Sequence, residues 1–141
     1  MDRRETKCRG QTMAKRPLKL HVRIPEYESP RNSWRRKVHA AATAVRDLRE
    51  VEYRPDYRLE IDVRLYLDGS ALIWNDVDNR LKDVLDALQG RVGGPKAVRS
   101  LPALIPNDRQ VFRVVVEKCA PPKQSLGCGH VTVRGLRRRR V

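Results

Sequence analysis

The residues best suited to chemistry in this sequence are four aspartates and one lysine in a single short segment. Asp76 and Asp78 precede Lys82, and Asp83 and Asp86 follow it. Two like charges about 4 Å apart repel by roughly 4 kcal/mol at an effective dielectric constant near 20. A divalent cation such as Mg²⁺, which prefers oxygen ligands, would remove that repulsion. An ammonium group beside it would stabilise charge on a scissile phosphate, so the segment has the residue types that phosphodiester hydrolysis requires.

A structural explanation of the same segment stays open. Acidic residues at a helix start satisfy free N–H groups and favour the helix dipole, and Asp78 and Lys82 have the spacing of an ordinary i, i+4 pair. We expect a helix that is capped near Asp76 and ends at Gly90. Its core-facing stripe comprises Leu81, Val84, Leu85 and Leu88.

The net charge of +14, from 31 basic and 17 acidic residues, is the strongest global signal. Much of the excess lies at the two ends of the chain. Residues 1–17 contain six basic and two acidic side chains, and residues 119–141 contain six basic side chains and no acidic one. Such basic arms are typical of proteins that bind polyanions, nucleic acid above all.

Composition also indicates the compartment. No apolar run approaches the length of a membrane span, and the first residues lack the apolar core of a signal peptide. The odd cysteine count favours reduced thiols, and the spacing of Cys119, Cys128 and His130 matches no zinc pattern. We therefore expect a cytoplasmic protein with no membrane partner.

Hydrophobic periodicity predicts a small single α+β domain with a mixed sheet and two helices packed on one face. The predicted order is β-α-β-α-β-β. We expect a flexible basic arm over 1–17, a globular domain over 18–118 and a basic tail over 119–141. The expected strands cover 18–24, 58–68, 103–105 and 110–118, with a short edge strand at 131–133, and the expected helices cover 34–48 and 76–90. Two apolar patterns support these bounds: alternation of Phe112, Val114 and Val116 in the last long strand, and a core-facing stripe in the first helix that comprises Trp34, Val38, Ala41, Val45 and Leu48.

Basic residues outside the apolar stripes have two explanations of equal weight: contact with phosphates or simple solvation of a helix. The candidates for DNA contact are Arg35, Arg36, Lys37, Arg80 and Arg109. A further hypothesis follows from the strand order. The second helix and the turn at Asp108 both come close to the ends of apolar strands, so Asp76, Asp78 and Asp108 should converge at one edge of the sheet.

A two-part motif carries a family resemblance. The first part is Asp76-x-Asp78-Asn79-x-x-Lys82-x-x-x-Asp86-Ala87-Leu88, and the second is Asp108-x-Gln110-Val111. Together they resemble the RusA family of Holliday junction resolvases over residues 18–118. The resemblance implies that Asp76, Asp78 and Asp108 hold Mg²⁺ and that Lys82 is catalytic. Asn79, Asp86 and Gln110 would then support the site.

The same resemblance implies a homodimer that cuts four-way DNA junctions by paired nicks. One departure concerns Asn107, because the family commonly has two adjacent acids at Asn107 and Asp108. The expected function is therefore a Mg²⁺-dependent endodeoxyribonuclease that acts on branched DNA, with Mn²⁺ as an alternative ion. Two other functions remain open: a non-catalytic basic nucleic-acid-binding protein, and a broader flap or fork nuclease of phage DNA metabolism.

Overall fold

The computed structural model describes residues 18–93, 98–122 and 129–136. Their longest elements are two helices of 19 and 12 residues and three strands of eight or nine residues. In chain order the elements are β1 (Lys19–Ile24), α1 (Arg31–Arg49), β2 (Arg58–Tyr66), α2 (Ser70–Trp74), α3 (Val77–Leu88), β3 (Arg91–Gly93), β4 (Val98–Arg99), a 3₁₀ turn (Asp108–Gln110), β5 (Val111–Cys119) and β6 (Gly129–Leu136).

The main sheet has four strands in the order β1-β6-β2-β5. β6 is antiparallel to both of its neighbours, whereas β5 runs parallel to β2. Val63 of β2 pairs with Val116 on one side and Val131 on the other, which defines the register across the sheet. The prediction of a small α+β domain with a mixed sheet is therefore confirmed.

The prediction of a tail after residue 118 is wrong for β6. This strand lies inside the sheet, and its Val131 and Val133 are fully buried. Its two glycines are required by close packing. A Cβ on Gly129 would lie 2.3 Å from the carbonyl oxygen of Arg64. The predicted arm over 1–17 lies outside the described residues, as do 123–128 and 137–141 of the predicted tail.

The predicted strand at 103–105 is also absent from the described chain, which is irregular there. Leu104 and Ile105 are buried, and their backbone N–H groups both donate to the carbonyl of Leu88, at 2.7 and 3.1 Å. Prolines at 102 and 106 flank these residues and limit strand pairing. The segment therefore packs against the end of α3 instead of joining the sheet.

Both long helices contribute to one hydrophobic core with the same side of β2. α1 contributes Trp34, Val38 and Ala42, and α3 contributes Val84, Ala87 and Leu88. The predicted stripe of α1 extended to Leu48, which is 81% exposed. Among the described residues, no helix has the length and apolar character needed to cross a bilayer.

Strand β5 differs from its predicted burial pattern. The alternation of Phe112, Val114 and Val116 predicted one buried face, yet Phe112 is 67% exposed and Val114 is 38% exposed. Two features explain this. β5 is an edge strand, and an irregularity in its pairing with β2 displaces the side chain of Phe112 from the regular alternation.

Candidate active site

Helix α3 carries the first part of the motif at its N-terminal end. Asp76 is the N-cap residue, with an extended backbone (φ −81°, ψ 130°) and a carbonyl that accepts the N–H of Arg80 at 3.2 Å. Its side chain makes no capping hydrogen bond and instead accepts Nδ2–H of Asn79 at 3.3 Å. Asp76 and Asp78 are both exposed. Their carboxylates are thus accessible to a ligand.

Lys82 and Asp86 lie one turn apart on the same helix and form an ion pair. Lys82 Nζ is 3.5 Å from Asp86 Oδ2, and the two side chains are 63% and 11% exposed. Gly90 follows the end of the helix in the left-handed conformation (φ 77°), as predicted. It allows the chain to turn back, so that its carbonyl accepts the N–H of Ser100 at 2.9 Å.

The second part of the motif forms a tightly held 3₁₀ turn. The side chain of Asn107 accepts the N–H of Arg109 at 2.8 Å, and Gln110 Oε1 accepts the N–H of Asn107 at 3.1 Å. Gln110 Nε2–H₂ donates to the carbonyls of Arg54 and Tyr57, both at 2.8 Å. Asn107 therefore caps this turn, and the buried Gln110 anchors the turn that presents Asp108.

The two parts of the motif meet in an open polar cleft of about 290 Å³. Lys82 and Asp86 from α3 line it together with Asp108 from the 3₁₀ turn. The remaining lining residues are Gln89, Arg91, Asn107 and Arg109. The structure thus brings Lys82, Asp86 and Asp108 together, whereas Asp76 and Asp78 do not line this cleft.

The predicted metal ligands are not grouped. Among the residues that the structure describes, no three His, Cys, Asp or Glu side chains lie close enough together to hold a metal ion. The expected convergence of Asp76, Asp78 and Asp108 is therefore not observed. Their donor atoms still suit Mg²⁺, because this ion takes oxygen ligands and often uses only one or two carboxylates together with water and substrate phosphate.

Beneath the cleft, α1 and α3 are joined by a buried network of ion pairs. Asp83 is fully buried, and its Oδ1 lies 2.9 Å from both Arg31 Nε and Arg35 Nη2. Arg35 Nη2 is also 3.1 Å from Asp86 Oδ2. Arg80 Nε lies 3.2 Å from Asp83 Oδ2 without the alignment of a hydrogen bond. The network therefore connects the interior to Asp86, and through it to Lys82.

This burial corrects two of the predicted DNA contacts. Arg35 and Arg80 are 5% and 7% exposed, and both are paired with carboxylates. The guanidinium of Arg80 also stacks 3.5 Å from the ring centroid of Tyr27. Neither residue can reach a phosphate in this fold. Arg36, Lys37 and Arg109 are exposed and remain candidates.

Arg31 was not predicted from the sequence as a candidate residue, and the role of Asp83 was left open between chemistry and helix structure. Arg31 and Arg35 are spaced i, i+4 on α1, while Asp83 and Asp86 are spaced i, i+3 on α3, so each pair lies on one helix face. Complementary charge pairs on two helices were the available signal. Nothing in the sequence, however, indicated that these two faces pack against each other.

A second polar group lies on the sheet face that the helices do not cover. His21 Nδ1 and Thr132 Oγ1 are 2.7 Å apart, and the rings of His21 and His130 stack with centroids 5.0 Å apart. Burial lowers the pKa of His130, and the nearby His21, Arg23 and Arg64 lower it further. At the rim of this face, Glu117 raises the pKa of Arg64.

Comparison with known proteins adds no relative. The sequence matches no protein-family model, and no curated protein matches it at a significant level. The likeness to RusA-type resolvases is thus an interpretation of the motif residues.

Proposed function

We propose that this protein is a Mg²⁺-dependent, structure-selective endodeoxyribonuclease that resolves Holliday junctions. The observation that carries the proposal is the polar cleft that is lined by both Lys82 of α3 and Asp108 of the 3₁₀ turn. These residues are distant in the sequence, and they belong to the two separate parts of the motif. A nuclease of this class needs a lysine and a carboxylate near one phosphate.

Each motif residue has a defined chemical role in this proposal. Asp76, Asp78 and Asp108 are the carboxylates proposed as oxygen donors to Mg²⁺ or Mn²⁺. Because only Asp108 of these three lines the cleft, the ion would be held by one or two of them together with water and substrate phosphate. Such an ion polarises a phosphate and lowers the pKa of bound water. Lys82 would stabilise negative charge on the scissile phosphate. Asp86 would hold the Lys82 ammonium at the cleft, because its carboxylate is itself fixed by the buried Arg35.

The substrate is proposed to be branched DNA, bound mainly through its phosphates. Arg91 and Arg109 line the cleft, and Arg36 and Lys37 are exposed on α1. Contacts of this kind position the nucleic acid without reading its sequence. A homodimer completes the proposal, because a four-way junction is nearly two-fold symmetric and its resolution requires two cuts.

A cleavage assay with four DNA substrates tests this function. Four-way junction, fork, flap and linear duplex are incubated with the protein and Mg²⁺, and we expect paired nicks in the junction alone. Asp78→Asn and Asp108→Asn should abolish cleavage while junction binding is retained. Lys82→Ala should slow cleavage by about 10²–10³-fold, the usual effect of removing an electrostatic stabiliser.

Asp47→Asn is the matched control, because Asp47 is an exposed acid of α1 that does not line the cleft. Wild-type cleavage by Asp78→Asn would reject the proposal. Junction binding without cleavage in the wild type would instead favour a non-catalytic nucleic-acid-binding protein. Equal cleavage of flaps and forks would favour a broader branched-DNA nuclease.

A further inference from the structure

The outer edge of β5 exposes apolar side chains over much of its length. β5 is nine residues long and pairs only with β2 among the described strands. Phe112 is 67% exposed, and Val114 and Val115 are each 38% exposed. A long apolar edge strand with unpaired backbone groups is a ready template for pairing with another strand.

The opposite edge of the same sheet is protected. β1 alternates buried and exposed positions, and its exposed residues are Lys19, His21 and Arg23. Charged side chains such as those of Lys19 and Arg23 are a usual means of preventing edge-to-edge association. On β5, by contrast, three of the five exposed residues are apolar, and the other two are Arg113 and Glu117. This edge therefore offers an apolar surface that a partner strand would cover.

The charges on β5 are arranged for pairing with an identical strand. Arg113 and Glu117 stand two residues before and two residues after Val115, and alternation places all three on one face. In an antiparallel pair centred on Val115, Arg113 of one strand is opposite Glu117 of the other. A centre at Val114 or Val116 would place each charge opposite an uncharged residue.

We propose that β5 pairs antiparallel with β5 of a second copy of this chain, about a two-fold axis through Val115. The two four-stranded sheets would then form one continuous sheet. Val115 would face its own counterpart, and Val114 would face Val116 of the second copy. Both faces of the former edge would thus become apolar contacts.

Contacts already present within one copy would extend across this axis. Arg113 lies 4.0 Å from Glu60, and Glu117 lies 2.7 Å from Arg64. Pairing would add an Arg113–Glu117 contact between the copies and produce a row of alternating charges. Ile73 and Trp74 of α2, 72% and 81% exposed, lie near the C-terminal end of β5, where Lys118 Nζ–H donates to the carbonyl of Asn75 at 2.8 Å. They extend the apolar surface beside the axis.

Site-directed cross-linking tests the register. Cys8, Cys119 and Cys128 are first replaced by serine, and Val115→Cys or Arg113→Cys is then introduced. Directly opposed residues of antiparallel strands have Cα atoms about 4.5–5.5 Å apart, within the range of a disulfide. Two copies of residue 113 would be about 13 Å apart, four residues along the strand. Mild oxidation should link most of the Val115→Cys chains and at least tenfold fewer of the Arg113→Cys chains.

Light scattering over a range of protein concentrations gives the mass of the protein in solution, and so tests whether the exposed edge of β5 mediates dimerisation. Wild-type protein should have the mass of a dimer, and Val115→Lys, which places two ammonium groups together, should weaken dimerisation at least tenfold. Leu48→Lys is the matched control, since Leu48 is 81% exposed but lies on α1. Circular dichroism checks that each variant is folded. A monomeric wild type, a dimer unaffected by Val115→Lys, or equal cross-linking at 113 and 115 would overturn the proposal.

This inference rests on the proposed function only for the use of the dimer in paired cleavage, so the two can fail separately. A dimer that joins through β5 and cleaves no junction would reject the nuclease and retain the interface. A monomeric wild type that makes single nicks in a junction would reject the interface and retain the chemistry.

Discussion

Replacing Asp83 by asparagine should destabilise the protein severely, although the change in shape is minimal. Asp83 is fully buried and faces three arginines, with contacts of 2.9 Å to Arg31 and Arg35 and 3.2 Å to Arg80. Asparagine would remove the negative charge and direct an N–H₂ group towards guanidinium donors. Arg35 and Arg80 would remain buried with less compensation, because Asp86 contacts only Arg35 of these three.

The expected cost follows from burial. Removing one partner of a buried ion pair typically costs about 3–5 kcal/mol, a large part of the roughly 5–15 kcal/mol that stabilises a domain. The matched control is Asp47→Asn, because Asp47 lies 3.2 Å from Arg46 but its side chain is 67% exposed. An exposed pair of this kind contributes about 0–1 kcal/mol.

Equilibrium unfolding in urea measures both variants. At a slope of about 2 kcal/mol per molar, the midpoint of Asp83→Asn should fall by roughly 2 M, and that of Asp47→Asn by less than about 0.5 M. Unchanged slopes would show that the variants unfold from the same native state. A loss below about 1 kcal/mol for Asp83→Asn would refute the claim that this carboxylate compensates the buried arginines.

Three further predictions concern other parts of the fold. Gly90→Ala should destabilise the protein more than Gly69→Ala in thermal unfolding. Both glycines have positive φ, which costs alanine about 1–2 kcal/mol. Only a Cβ on Gly90 would also clash with the carbonyl oxygen of Leu101, at 2.0 Å. Stability should fall as the pH is lowered from about 6.5 through the pKa of folded His130. Burial lowers that pKa, so the unfolded chain binds more protons than the folded protein in this pH range. His130→Gln should reduce the dependence of the unfolding free energy on pH, measured by urea titrations at several pH values. Gln110→Ala should lower the free energy of unfolding by about 1–3 kcal/mol, because the carbonyls of Arg54 and Tyr57 would lose their donor. Unchanged stability and cleavage would contradict the role of Gln110 in holding the Asp108 turn.

The local sequence pattern was sufficient to predict the elements in which apolar residues recur at regular intervals. Leu59, Ile61, Val63 and Leu65 alternate without interruption, and β2 buries each of them. In α3 the predicted stripe is also correct in outline, since Val84 and Leu88 are fully buried while Leu81 and Leu85 pack at its margin. These elements could be predicted because each residue's environment follows from its neighbours in the chain.

β6 could not be predicted in the same way, because its place depends on distant strands. Gly129 and Gly135 interrupt its apolar pattern, and each is required by a close approach of another residue: the backbone of Arg64 in one case and the ring of Tyr53 in the other. Neither approach is visible before β6 is inserted between β1 and β2. A glycine in the sequence therefore has two meanings, turn or tight packing, and only the sheet order distinguishes them.

The burial of the arginines near the candidate site also depends on packing between elements that are distant in the sequence. From the sequence, Arg35 and Arg36 are adjacent basic residues of one amphipathic helix, equally suited to binding phosphate. Packing of α1 against α3 buries Arg35 between two carboxylates and leaves Arg36 exposed. Because Asp86 also contacts Lys82 at 3.5 Å, the side chain of Arg35 restrains the cleft from beneath. In a variant that is shown by circular dichroism to be folded, a loss of cleavage on replacing Arg35 would therefore report the position of Lys82, whereas the same loss at Arg36 would report contact with DNA.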